Sequence, residues 1–346
     1  MALNTLPNAG LTNRGYPSDR ITTPIIINGD MSVNQRNATA TINGTGVTYN
    51  VDRFLGRGVS SAGVFTLAQD TDAPERFTNS LKATVTTADS SIASGSSYRV
   101  QHFVEGNNSA SLYWGNAEAE KVTLSFYVKS SVTGTFGGNL ANGDFNRFNV
   151  FSYTINQANT WERKVVNITG DTSGTWLTTN GIGIRINWSL GAGSSLLGSA
   201  GSWGSSTKEG VTGQTNLIAT NSATWYITGV QLEVGEFDST SIPSFPFESF
   251  ENNLRKCQRY YHKTYDDTTA PATVTTVGSV QTGTTATSTF VPMQYFYPVR
   301  MRSAPTFTAY SPATGASGKF ASNAPSGDHN IGTGRIGVSN ANFSSS

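Results

Sequence analysis

The stretch KVTLSFYVKSS, residues 121–131, alternates apolar Val122, Leu124, Phe126 and Val128 with Lys121, Thr123, Ser125 and Tyr127. A period of two belongs to a strand whose successive side chains point to opposite faces, so this segment is predicted to have one face in a core and the other in water. The same period recurs at Ile182, Ile184, Ile186 and Trp188, and more weakly at Tyr226, Thr228, Val230, Leu232 and Val234. Around these lie bursts of the same character, IIINGDMSV, GVTYNVDRFL, AGVFTLAQ, NSLKATVTTA, SYRVQHFVE, NRFNVFSYTI, WERKVVNITG, GIGIRINWSL and WYITGVQLEV, with Gly, Asn, Asp and Ser between them. No useful helical period interrupts them. The pattern predicts a mainly β chain, with an antiparallel β-sandwich of jelly-roll connectivity over residues 25–248.

Outward from that region the text changes. Pro243 and Pro246 lack the N–H a central strand needs, so the strand ending near Val234 is followed by an irregular exit segment. The segment SFENNLRKCQRYYHKTY, residues 249–265, is the one predicted connecting helix. Ser249 stands three before Asn252 as a cap, and Phe250, Leu254, Cys257 and Tyr261 fall at helical spacing, with Arg255, Lys256 and Arg259 on the wetter side. Residues 266–346 return to β text. That unit is small enough to need the sandwich or neighbouring subunits, and its closing tract PSGDHNIGTGRIGVSNANFSSS promises little further core. Residues 1–24, polar and punctuated by Pro7, Pro17 and Pro24, read as an extended arm. Between Ser189 and Thr224 a Gly/Ser-rich insertion is long enough to be a binding loop.

Composition excludes several classes of function. Of 346 residues 13% are charged, the net charge is +1, and 36% are hydrophobic, which is the composition of a folded chain rather than a disordered one. No cluster of Lys and Arg marks a nucleic-acid or anionic-membrane footprint. A single cysteine, Cys257, permits neither an internal disulfide nor a cysteine-built zinc site. No basic-then-apolar leader and no apolar run of membrane length is present, so neither secretion by the usual route nor membrane insertion is expected.

No catalytic residue is expected. His102 lies in a strand-like run and is assigned a structural or surface role, and neither His262 nor His329 sits in a catalytic motif. GTGRIG at residues 332–337 matches a dinucleotide fingerprint by letters but lacks its strand–helix context. Asp30 or Asp52 with Glu105, Glu118 or Glu233 would form the acid pair of a glycosidase only at a set separation, and each is expected instead to finish a turn or pair with arginine. Sugar binding needs exposed aromatic faces with hydrogen-bonding neighbours. Tyr113, Trp114 and Trp203 fit that need, whereas Trp161, Trp188 and Trp225 lie in strand-like runs and are expected in the core.

Several segments in order carry a resemblance: NGDMSVNQRN (28–37), YNVDRF (49–54), YRVQHFVEG (98–106), KVTLSFYVKSS, TWERKVVNITG (160–170), WYITGVQLEVGEF (225–237) and LRKCQRYYHKTY (254–265), followed by FYPVRMRSAPT. From Ile25 to about Tyr310 the chain resembles the carbohydrate-binding-module-like receptor and fibre proteins of tailed bacteriophages, particularly those of cyanobacteria and marine bacteria. The resemblance implies a galactose-binding-like jelly roll on a virion, as a tail fibre, tail-tip or head-surface protein made in the host cytoplasm, commonly homotrimeric. It implies other virion proteins as partners, docked through the arm, and a host surface glycan as ligand. A capsid decoration or cement protein and a glycan depolymerase are the alternatives. No cofactor is required. A structural calcium ion joining the first and last strands through Asp30 and Glu233 is the one metal the resemblance implies. The short C-terminal unit ending in NFSSS departs from the family pattern.

Overall fold

In the computed structural model, residues 24–280, 293–321 and 328–345 are described. The expected arm, apart from Pro24, lies outside them. The chain builds β1 (Ala40–Ile42), β2 (Gly46–Tyr49), β3 (Phe54–Val59), β4 (Val64–Asp70), β5 (Ser80–Thr87), β6 (Ser97–Glu105), β7 (Val122–Ser130) and β8 (Gly134–Asn142). It continues through β9 (Phe148–Ile155), β10 (Glu162–Ile168), β11 (Ile182–Ala192), β12 (Leu197–Gly198), β13 (Trp203–Gly204), β14 (Gly210–Val211) and β15 (Thr224–Val234). One sheet has the order β1-β4-β5-β15-β7-β10 and the other β13-β9-β8-β11-β6-β3-β2. All ladders in both are antiparallel. From β5 the chain crosses to β6, back to β7, over to β8 and β9, back to β10, over to β11 and back to β15. That alternation between layers is a jelly-roll connectivity, and the protein is an antiparallel β-sandwich over the region the alternation predicted.

The two inner faces meet in one core. Ile184, Ile186 and Trp188 of β11 all point into it, as their spacing required. Trp188 and Trp225 are both 0% exposed, and Phe126 packs edge-on against Trp188 with ring centres 5.8 Å apart. Trp161 was expected beside them but is half-exposed on the outside of its sheet, where its indole N–H donates to Asp72 at 3.0 Å.

Two departures from the predicted strands have local causes. In β7 the polar face is not wet: Thr123 and Ser125 are buried too. The exit segment after β15 crosses that face, with Phe237 N–H donating to Thr123 Oγ1 at 3.1 Å and Gln231 Nε2 to Pro243 O at 3.0 Å. In β15 the register with β7 slips between Thr228 and Gln231, where Gly229 takes a left-handed φ of 61°. A bulge reverses the parity of a strand. The core therefore receives Trp225 and Ile227 before the bulge and Val230 and Leu232 after it, not a single file from Tyr226 to Val234.

The IIINGDMSV segment forms no strand. Asn28 and Met31 both have left-handed φ, at 61° and 59°, and its polar groups bond outside any ladder: Asn28 Nδ2 donates to Val33 O and Asp52 O, each at 2.8 Å. Its apolar side chains are nonetheless buried. Ile25 and Met31 join the main core, while Ile27 and Val33 pack with Cys257.

The connecting helix is α2 (Phe250–Gln258), shorter than predicted. Ser249 caps it, its Oγ accepting from Asn252 N–H at 3.4 Å. It stops where Tyr260 and Tyr261 turn back to arginines of the sandwich: Arg53 lies 3.5 Å from the centre of the Tyr260 ring and Arg36 lies 3.8 Å from that of Tyr261. Arg259, with its side chain 32% exposed, reaches back to pair with the buried Glu105. Phe250, expected on the apolar side, is exposed. Beyond the helix, β16 (Met293–Phe296), β17 (Lys319–Ala321), β18 (Asp328–Ile336) and β19 (Asn340–Ser345) form a four-stranded sheet in the order β16-β19-β18-β17. The closing tract forms β18 and β19, with Ala341 its one buried apolar side chain among the described residues, and GTGRIG lies mostly within β18. Among the described residues no helix is long and apolar enough to cross a membrane.

Candidate functional site: an aromatic recess at one end of the sandwich

At the end of β6 the chain turns through α1 (Gly106–Ser109) and a 3₁₀ turn over Ala110–Leu112. Glycine is required at 106, because a Cβ there would meet Leu177 O at 2.4 Å and Thr179 O at 2.7 Å. The turn is stitched to the segment before β11 by Gly106 N–H to Gly181 O at 2.9 Å and Asn107 N–H to Thr179 O at 2.8 Å. Tyr113 closes the 3₁₀ turn with a left-handed φ of 55°. Tyr113 is 62% exposed while the next side chain, Trp114, is turned inward and 6% exposed.

Trp114 is the floor of an indole triad. Its ring centre is 4.7 Å from that of Trp176 and 5.3 Å from that of Trp203, which in turn lie 5.3 Å apart. The interplanar angles of 81°, 71° and 85° are edge-to-face, the arrangement ring quadrupoles prefer. Each indole N–H is spent on a backbone carbonyl: Trp114 on Glu120 at 2.8 Å, Trp176 on Ser173 at 3.1 Å and Trp203 on Thr169 at 2.7 Å. The segment carrying Trp176 is anchored by Asp171, whose carboxylate accepts from Arg147 Nε at 2.7 Å and Nη2 at 2.6 Å and from Ser173 N–H at 3.1 Å.

Above this floor is a recess of about 290 Å³, lined chiefly by Ser109, Tyr113, Asn116, Trp176, Leu177 and Thr178. The lining holds no carboxylate, imidazole or amine. It offers aromatic and aliphatic faces with a fringe of hydroxyl and amide groups, which suits a neutral ligand with one apolar face and equatorial polar groups.

The sequence reading brought Tyr113, Trp114 and Trp203 to one place, with altered parts. Tyr113 is the exposed ring on the recess, Trp114 is buried at its lining, and Trp203 packs on Trp114 without lining the recess itself. The insertion carrying Trp203 is ordered: β13 pairs with β9, and β12 pairs with β14 in parallel. Trp176 was missed. Its signal was a tryptophan in the turn-rich run SGTWLTTNG, where no strand period accounts for an aromatic.

Asp30 and Glu233 also come together, on a separate cavity of about 20 Å³ with Gly29, Val230, Phe245 and Asn253. Asp30 Oδ1 accepts from Ser32 Oγ at 3.0 Å and Asn253 Nδ2 at 3.1 Å, which ties α2 to the first turn. Calcium takes 6–8 oxygens. Asp30, Glu233 and Glu248 line the cavity, but Asp30 already accepts those hydrogen bonds and Glu248 pairs with Lys256, so they do not make such a set, and among the described residues no three His, Cys, Asp or Glu are grouped to hold a metal ion.

The remaining acids serve structure. Burial raises the Asp52 carboxyl above its usual range despite Arg36 at 3.5 Å and the Gln35 N–H at 2.6 Å. Burial pushes Glu105 the same way, but bonds from Arg259, Tyr260 and Asn107 outweigh it and leave Glu105 below the usual range. Glu118 is exposed, and neither Asp52 nor Glu105 lines the recess.

No family model matches the chain, and no curated protein matches it. Among solved structures it is similar to one described as "CBM4 structure and function", at 13% identity over 61% of this chain and 99% of that one, with a TM-score of 0.30. It is similar to a putative sugar binding protein from Bacteroides thetaiotaomicron, at 13% identity over 62% and 100% with a TM-score of 0.35. A third is the family 11 carbohydrate-binding module from Clostridium thermocellum in complex with a β-1,3-1,4-mixed-linked tetrasaccharide, at 10% identity over 60% and 99% with a TM-score of 0.31. The fold assignment rests on the sheets themselves.

Proposed function

We propose that this chain is a non-enzymatic, glycan-binding virion protein of a tailed bacteriophage, a tail fibre or surface fibre that grips a neutral sugar residue in the Tyr113 recess. One observation supports the binding role above others: an exposed tyrosine ring and Trp176 line one recess that holds no carboxylate, imidazole or amine and is backed by an indole triad. A pyranose lays its C–H face on such a ring and bonds its hydroxyls to Asn116 and Thr178. The virion role draws on the ordered series of phage-like segments, and with it come a homotrimer and docking through residues 1–24. Deleting residues 2–22 is expected to abolish incorporation into particles, and unchanged incorporation would refute the docking role.

The binding role is tested by calorimetry against polysaccharide from a susceptible host. Tyr113→Ala is expected to weaken binding about tenfold, equivalent to ~1.4 kcal/mol, with melting temperature unchanged. Equal affinity in the variant removes the recess from consideration. New reducing ends released during the incubation would overturn the non-enzymatic reading.

A further inference from the structure

The outward face of the seven-stranded sheet carries three arginines. The register sets Arg57 of β3 directly opposite Arg99 of β6, and Arg185 of β11 opposite Phe103, further along β6 on the same face. Arg99 and Arg185 each hold a guanidinium carbon 5.5 Å from the centre of the Phe145 ring, so one ring is shared between them. Arg185 is further fixed by bonds from Nε and Nη2 to Gly143 O at 3.3 and 2.8 Å.

The counter-charge is incomplete. Arg99, 1% exposed, contacts the Glu209 carboxylate and donates to Ser97 Oγ at 2.8 Å, yet its Nε has no hydrogen-bond partner. The Arg57 side chain makes no hydrogen bond or ion pair with any described residue, its backbone being held in the ladders with β2 and β6. The remaining acid felt by Arg185 is Asp144, which is exposed. Burial depresses both Arg99 and Arg185, and Arg57 pushes both the same way. Crowded, partly desolvated guanidinium groups facing too few carboxylates cost stability unless something else supplies the charge. Guanidinium is the group best shaped to hold a planar or tetrahedral oxyanion.

One strand further out on the same face, Val47 lies opposite Arg57 and Tyr49 opposite Leu55. Val47 is exposed and Tyr49 half-exposed. These apolar surfaces would be idle against an inorganic ion but suit the ring that carries an acidic substituent. We propose that Arg57 and Arg185, backed by the buried Arg99, form an oxyanion site on this face for the sulfate or carboxylate group of an acidic glycan. Arg57 lies away from the Tyr113 recess: it stands opposite Arg99, seven residues up β6 from Gly106, about 23 Å at ~3.3 Å per residue. Arg185 is nearer, since it follows Ile184, which lines the recess, but it occupies the opposite face of β11.

The test uses the full chain and its Arg57→Gln and Arg185→Gln variants, at constant ionic strength. Inorganic sulfate replacing chloride is expected to raise the melting temperature with a saturable low-millimolar component in the unaltered protein that R57Q lacks, above the non-saturating rise sulfate gives both proteins. Without sulfate, R57Q is expected to melt at the same or a higher temperature, since it removes a repulsive charge, an outcome a merely structural arginine would not give. A dextran sulfate or alginate oligomer is expected to bind at least roughly tenfold more tightly than neutral dextran, with that margin lost in R57Q and R185Q. Equal binding of charged and neutral oligomers, or a preference untouched in R57Q, overturns the proposal. Arg57-dependent stabilisation by sulfate with no gain from either oligomer overturns the glycan assignment. Because Arg57 lies outside the recess, R57Q is expected to keep the Tyr113-dependent affinity for neutral sugar, so the two sites fail separately.

Discussion

His102 illustrates what a single residue does here. It sits on the core side of β6, its ring centre 4.7 Å from that of Phe54, and neither ring nitrogen has a hydrogen-bond partner among the described residues. Burial, with Arg53 close by, holds its pKa well below the ordinary value of 6.5. His262 is lowered to about 4, also by burial. Below pH 6.5 the unfolded chain takes up protons that the folded chain refuses, so stability falls as pH drops from 6.5 toward 4. Chemical denaturation across that range should show it, at about 1.4 kcal/mol per pH unit for each fully refused proton. His102→Leu should flatten the slope. RVQHFVE made a structural or surface role legible, and the ladder with Phe54 settles it as an inward position of a strand. That it carries no partner was not legible, because Phe54 and Ile186, which flank it on the neighbouring strands, come from distant parts of the chain.

At the scale of elements, the period-two runs identified the strands, and Ile184, Ile186 and Trp188 face inward as their spacing required. Parity in β15 was illegible because one glycine reverses it. Gly229 has φ 61°, and a Cβ there would lie 2.7 Å from Phe77 Cζ and 2.9 Å from Tyr127 Cδ2. Gly229→Ala is therefore expected to destabilise the sandwich by more than the ~1 kcal/mol of an ordinary left-handed position, read as a lowered denaturation midpoint at unchanged slope. An unaffected midpoint would mean the bulge is free to relax. The wet face assigned to β7 failed for a related reason. A strand's own letters do not record that residues more than a hundred positions later will be laid across it.

At the scale of the molecule, hydrogen bonds and an ion pair add to the ring contacts that bind the helical connector to the sandwich. Asn253 of α2 accepts from Asn28 N–H at 3.1 Å, Gln35 Nε2 donates to Tyr261 O at 2.8 Å, and Arg259 clasps Glu105 through bonds of 2.6 and 3.0 Å. Glu105→Ala strips Arg259 and Tyr260 of their acceptor and is expected to cost ~2 kcal/mol, with faster proteolysis after Gln258 as the direct readout. Chelation provides a contrasting test. With Asp30 and Glu248 at that cavity already engaged by Asn253 and Lys256, EDTA is expected to leave the melting temperature unchanged, whereas a drop reversed by added calcium would show that backbone and water oxygens complete a site there. A helix in this region was legible from Ser249, Leu254 and Cys257. Its early end was not, since Arg53 and Arg36, which draw Tyr260 and Tyr261 aside, lie some two hundred residues away in sequence.

The indole triad has one more consequence, an optical one. Three tryptophans in van der Waals reach couple their electronic transitions, and Trp176 borders the space a ligand would fill. Occupancy of the recess should thus shift both the fluorescence emission and the near-ultraviolet dichroism without any label, while Trp188 and Trp225, sealed in the interior, contribute a constant background.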